Sequence, residues 1–262
     1  MAPHLLRVTA QNLSPTVFDT NDLSTIRGGG MALLDRVAGL DERRLAEAAG
    51  AGAKIDIVSS GASELLARIE PGEGFRADDY VAAVRALLSK VGPESVPAEL
   101  FCFAVACRPM GKTTFPQAVA AIETDVRVAQ YRTLSFPLPV AEAKASRPCS
   151  LNGRLPISPG KAVKKKPVSA SVSARHIFGR ERRGRFYVDL LAGTDIGVRL
   201  AAGGYGFTES LADLTADRRD GLDLPIALSG KIALLMLDGN GFQARRNALV
   251  AGPGGAAAVA QF

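Results

Sequence analysis

The sequence predicts an α+β fold, an antiparallel sheet with helices on one face. Three observations carry that expectation. LLRVTAQ, residues 5–11, alternates and is β-rich, as a strand should be. KIDIVSS (54–60) and ASELLARI (62–69) flank Gly61 as the arms of a tight hairpin do. Apolar residues at helical spacing recur around them, at Ile26, Leu33, Leu34, Val37 and Leu40, and again at Tyr80, Val81, Val84, Leu87 and Leu88.

Taken in order, residues 12–22 are polar and read as a loop. The helix that follows carries Gly28, Gly29 and Gly30 at its expected start. Glycines there let a phosphate or another backbone approach the helix-end N–H groups, so all three are candidate nucleotide-binding residues; a plain flexible helix start is the competing reading. DERRLAEAA extends this helix or begins another, and Gly50 and Gly52 break it. PGEG is a turn, and Ala77-Asp-Asp offers the next helix a cap. LFCFAVAC, residues 100–107, is a buried strand by length and composition. TFPQAVAAIETDVRVAQYRTL is a helix ended by Pro137 and Pro139. Strand, helix, hairpin, helix, strand, helix is the order of a ferredoxin-like sandwich. Polymerase and nucleotide-cyclase palm domains share it, and so do unrelated activities, so the fold alone fixes no function.

A chain of 262 residues suits one large or two modest domains. Composition divides it into a first domain at 1–140, a basic insert at 141–230 and a last segment at 231–262. The insert begins with a linker rich in Pro, Ser, Lys and Ala. Within it VSASVSAR alternates like a strand, GRFYVDLLA reads as another, and ESLADLTADRR as a short helix. The last segment reads as a buried strand, a DGNG turn and a new helix. No apolar run reaches the ~18 residues of a membrane span. Arg7 and Gln11 interrupt any signal-peptide core, so a cytoplasmic protein with no membrane partner is expected.

Net charge is +6 but unevenly spread. Between positions 147 and 185 lie eleven Lys and Arg residues and one acid, Glu181. Such a block is a phosphate-binding surface or a solvated linker. Lys164, Lys165, Lys166, Arg175, Arg180, Arg182, Arg183 and Arg185 are its candidate nucleic-acid contacts, with RNA the possible partner.

Three stretches, VFDTNDLSTIRGGGMALLDRV, SASVSARHIFGRERRGRFY and KIALLMLDGNGF, together resemble the large palm-domain subunit of type III CRISPR effector complexes. The first is similar to a run in that family's first palm, the second falls where the family has a basic insert, and the third looks like the opening strand of its second palm. The resemblance implies a system that makes cyclic oligoadenylates from ATP with magnesium, and partners that include a second palm or other effector subunits. The family's second palm uses an Asp at the end of its first strand and a Gly-Gly-Asp-Asp hairpin. Asp238 matches the strand-end Asp, a catalytic and metal-binding candidate, with Gly239 and Asn240 as nucleotide-binding candidates. Two magnesium ions bridging phosphates require oxygen ligands of this kind.

The departures point away from catalysis by this chain alone. It has no Gly-Gly-Asp-Asp motif, and the second palm is expected to be incomplete. The first palm has no carboxylate on its first strand, and its hairpin reads SSGAS, with Glu64 the nearest acid and Asp56 before the turn. The expectation is therefore a scaffold or regulatory palm; an RNA-binding module and an ATP-binding cyclase fragment are the alternatives. Zinc is not expected, because the insert offers only Cys149 and His176 where four ligands are required. Cys102 and Cys107 lie in an apolar stretch and read as small core hydrophobes. Gly111-Lys112-Thr113-Thr114 is similar to the end of a phosphate-binding loop, but Ala106 replaces its leading glycine, so a capped strand-to-helix turn is expected. His4 and His176 have no visible triad partners.

Overall fold

A computed structural model of the chain describes residues 2–11, 13–132, 147–203 and 248. The chain divides into two compact units. Among the described residues, the first holds 2–11, 13–19, 29–132 and 248, and the second holds 20–28 and 147–203.

The first unit is built on four strands, β1 (His4–Gln11), β2 (Lys54–Ser60), β3 (Glu64–Glu70) and β4 (Cys102–Pro109). All pair antiparallel in the order β2-β3-β1-β4. β1 is central, with Leu6 opposite Ala67 on one side and Cys107 on the other. Its Leu5, Leu6 and Val8 are buried because both sheet faces are covered. A short helix, α1 (Leu13–Thr16), follows β1, and α2 (Leu23–Ala38) runs from the second unit into the first. α3 (Glu42–Ala49) starts where the Asp41 carboxylate accepts from the Arg44 N–H at 2.8 Å. α4 (Ala77–Lys90) buries Tyr80, Val84 and Leu88. Its N-cap is Arg76, which makes no side-chain cap bond; Asp78 and Asp79 instead sit in the first turn, where the helix dipole favours acids. α5 (Phe115–Arg132) follows β4.

The expected four-stranded α+β core is present, and its connectivity is compatible with a ferredoxin-like fold. The helices are not confined to one face. Successive strand residues point to opposite faces. Cys107 faces α4, where burial and the charge of Asp78 push its thiol up to about 12. Its neighbour Arg108 points the other way and pairs with Asp125 of α5, 3.1 Å. α5 buries Ala118, Val119, Ile122 and Val126 against Leu5, Leu66, Ala104 and Ala106. Small apolar residues on that second face leave room for the helix and require a cover from water.

Arg36 is 2% exposed and fixes the end of α4. Its guanidinium donates to the carbonyls of Leu88 (2.7 Å), Val91 and Val96 (3.3 Å), and lies 5.6 Å from the centre of the Phe101 ring. Carbonyls at a helix C-terminus lack partners within the helix, and a cation supplies them.

In the second unit, β5 (Ala162–Val163) and β6 (Lys166–Pro167) form a hairpin whose loop is Lys164-Lys165, with φ of 49° and 64°. Part of the expected linker is thus a defined turn. α6 (Ala170–Leu190) and α7 (Asp195–Ala201) follow. The two strands expected at VSASVSAR and GRFYVDLLA are a single helix, α6. Ser169 caps it, accepting from the Val172 N–H, and burial at Val172, Arg175, His176 and Gly179 follows helical spacing. Cys149, Val163, Val168 and Val172 form a small apolar core.

Candidate functional site

In the first unit, β1 meets the β2–β3 hairpin at one end of the sheet. Arg7 of β1 and Glu64 at the start of β3 occupy it. Arg7 Nη2 lies 2.5 Å from Glu64 Oε2, and the Arg7 side chain is buried. The nearest carboxylate is therefore committed to a cation of the same sheet. Asp56 stands opposite Arg68, on the Glu64 face but four residues further along β3. At strand rise that is about 13 Å, too far for the two acids to share an ion. Among the described residues, no three His, Cys, Asp or Glu side chains converge to hold a metal.

Gly28, Gly29 and Gly30 do not open a helix. They lie inside α2, which begins at Leu23. There the backbone N–H groups belong to the helix ladder and cannot all turn to a phosphate. Gly28 has another use. A Cβ on it would lie 1.8 Å from the Arg175 carbonyl oxygen, and one on Gly179 would lie 2.0 Å from that of Ser24. The start of α2 and the middle of α6 therefore cross with backbones in contact, which only glycine permits. A Cβ on Gly30 meets nothing within 4 Å.

Beside this crossing stands a polar cluster that the sequence did not reveal. Asp22 caps α2: its Oδ1 accepts from the Thr25 N–H (2.9 Å) and the Thr25 hydroxyl (2.8 Å). The same oxygen lies 2.8 Å from His176 Nδ1, and Oδ2 lies 3.8 Å from Lys164 Nζ. Burial alone would raise the Asp22 carboxyl. The hydrogen bonds from His176 and Thr25, aided by the charge of His176, outweigh it and hold the group below its ordinary 3.8. His176 thus has a carboxylate partner after all, 154 positions away in sequence. The only available signal was Asp22 in a helix-capping position. His4 instead bonds the Ala2 carbonyl and packs edge-on against Phe75.

The basic candidates separate by environment. Lys164, Lys165 and Lys166 are exposed at the β5–β6 turn, and Arg180 and Arg185 are exposed on α6. Arg175 is fully buried, its Nε donating to the Ser171 carbonyl, so it is not a surface contact for nucleic acid. Arg182 lies 3.9 Å from Asp189 and over the Phe186 ring, and Arg183 is half-buried. Cys149 is in the small apolar core. At Gly111-Lys112 the chain turns between β4 and α5, and Gln117 Oε1 accepts from the Thr114 N–H at 3.0 Å, as in a capping box. Asp238, Gly239 and Asn240 lie outside the described residues. The chain matches no protein-family model and no curated protein.

Proposed function

We propose that the first unit is a non-catalytic palm that supports a second palm in a type III CRISPR-like antiviral system. The observation that carries this reading is the Arg7–Glu64 pair, at the place where a catalytic palm would hold metal-binding acids. The cover of α5 over Leu5, Leu66, Ala104 and Ala106 adds to it, since that part of the face has no room for a nucleotide. ATP and magnesium would be handled by the second palm, with Asp238 as its strand-end acid.

Co-expression with a polypeptide of such a system that carries Gly-Gly-Asp-Asp tests the reading. The two should co-purify and make cyclic oligoadenylates from ATP. Absence of a complex sinks the proposal.

A second reading, RNA binding by the second unit, is favoured by the five exposed cations Lys164, Lys165, Lys166, Arg180 and Arg185. Affinity for single-stranded RNA should then fall steeply with salt. Replacing the three lysines by alanine should flatten the log–log slope by roughly 2, at ~0.7 per phosphate contact. A slope that does not change removes this reading.

A further inference from the structure

A cavity of about 250 Å³ opens in the first unit where three elements converge. Arg85, Leu88 and Ser89 project from one face of α4, being three and four residues apart. Ala98 and Glu99 come from a single 3-10 turn, Ala98–Leu100, Phe101 is the residue that caps that turn, and Phe103 lies at the start of β4. Leu88 and the two aromatic rings form its apolar lining. Arg36 stacks on Phe101 and so fixes that wall.

The charges at the mouth set the ligand. Arg85 and Glu99 are both exposed and form no ion pair with each other; Glu99 also acts through its charge on the buried guanidinium of Arg36. Opposite charges that share a pocket without bridging to each other leave one anion-binding and one donor-accepting position. Ser89 spends its proton on the Ala86 carbonyl at 2.7 Å and offers only lone pairs. Acceptors at Glu99 and Ser89 suit a ligand's hydroxyl or amino groups, and the Arg85 fork suits a phosphate. The apolar lining suits a flat ring, since aromatic side chains stack on nucleobases.

We propose that this pocket binds a nucleoside monophosphate, with the base over Phe103 and Leu88, the sugar hydroxyls or base amino group at Glu99 and Ser89, and the phosphate on Arg85. Its volume is just under the ~300–1,000 Å³ of drug-sized sites, enough for a base with the sugar and phosphate at the mouth. One cation beside a carboxylate disfavours the extra charge of a triphosphate. The assignment stands on the pocket alone and holds whether or not the palm reading does.

Calorimetric titration of the full chain with AMP, adenosine and ribose 5-phosphate tests it. AMP should bind most tightly. Arg85→Ala should weaken AMP by about tenfold, the loss of a charge-assisted pair, and adenosine by under about twofold. Arg85 is exposed, so this variant keeps its fold, and Arg85→Lys should recover part of the loss. Phe103→Leu should weaken AMP and adenosine alike, with a thermal melt to confirm folding. No AMP binding at millimolar concentration, or AMP affinity unchanged in Arg85→Ala, overturns the proposal. Equal binding of ribose 5-phosphate and AMP overturns the ring contact and leaves only a surface anion site.

Discussion

The two units are held together by different means. The sheet unit buries large aliphatic side chains from alternating strands, among them Leu5, Leu6, Val8, Leu65, Leu66 and Ile69. In the second unit, the apolar cluster of Cys149, Val163, Val168 and Val172 is small, and Ser169, Ser171, Ser173, Arg175 and His176 are buried beside or near it. Apolar burial is non-directional and survives modest changes of shape. Backbone contact between glycines and a carboxylate shared by three donors are directional and do not. Stability in the second unit should therefore depend on a few atoms, whereas in the first it is spread over many, apart from Arg36.

Arg36 is the sharpest exception, and its replacement should have the largest effect. Arg36→Met leaves three carbonyls without their charged donor and should cost about 4 kcal/mol. Urea denaturation measures it, and a loss below ~1 kcal/mol would show that water replaces the guanidinium.

Next come two substitutions in one helix with opposite expected signs. Gly28→Ala drives a methyl into the Arg175 carbonyl and should cost about 3 kcal/mol. Gly30→Ala meets open space in a helix interior and should stabilise by about 0.5–1 kcal/mol. Equal effects at the two positions would erase the claim that backbone contact at the α2–α6 crossing matters.

Asp22→Ala removes a helix cap and the partner of His176, and should cost about 2 kcal/mol at neutral pH. Its carboxyl is held below the ordinary 3.8, so the unfolded chain takes up the proton more readily. The stability that Asp22 contributes is complete above pH 3.8 and drains as pH falls through its lower folded value. Melting curves from neutral pH down into the acid range should therefore bring the wild type and Asp22→Ala together. A gap that stays constant at low pH would show that the carboxylate charge is irrelevant.

The same contrast explains what could be read in the sequence. Alternation at 5–11 and in the hairpin, and the helical spacing of Tyr80, Val84 and Leu88, mark elements that bury one face, and these were legible. That α5 closes the second face was not, because small residues such as Ala104 and Ala106 read equally as buried strand. VSASVSAR misled because Val168, Ala170, Val172 and Ala174 alternate while Val172, His176 and Gly179 also fit a helix, and the Ser169 cap decides. Gly28, Gly29 and Gly30 read as a helix start but lie inside the helix. Their position inside α2 follows from Asp22, which starts the helix several residues earlier than the apolar pattern suggests. Asp22–His176 joins two residues 154 apart and leaves no periodic trace.

The proposed supporting role is tested most directly by product analysis of ATP and Mg²⁺ incubated with the complex of this chain and a partner polypeptide that carries Gly-Gly-Asp-Asp, comparing wild type with Glu64→Gln. That role predicts the same yield of cyclic oligoadenylates from both, because Glu64 is paired with Arg7. Loss of product in Glu64→Gln, with the complex still assembled, would contradict it and place Glu64 in the catalytic centre.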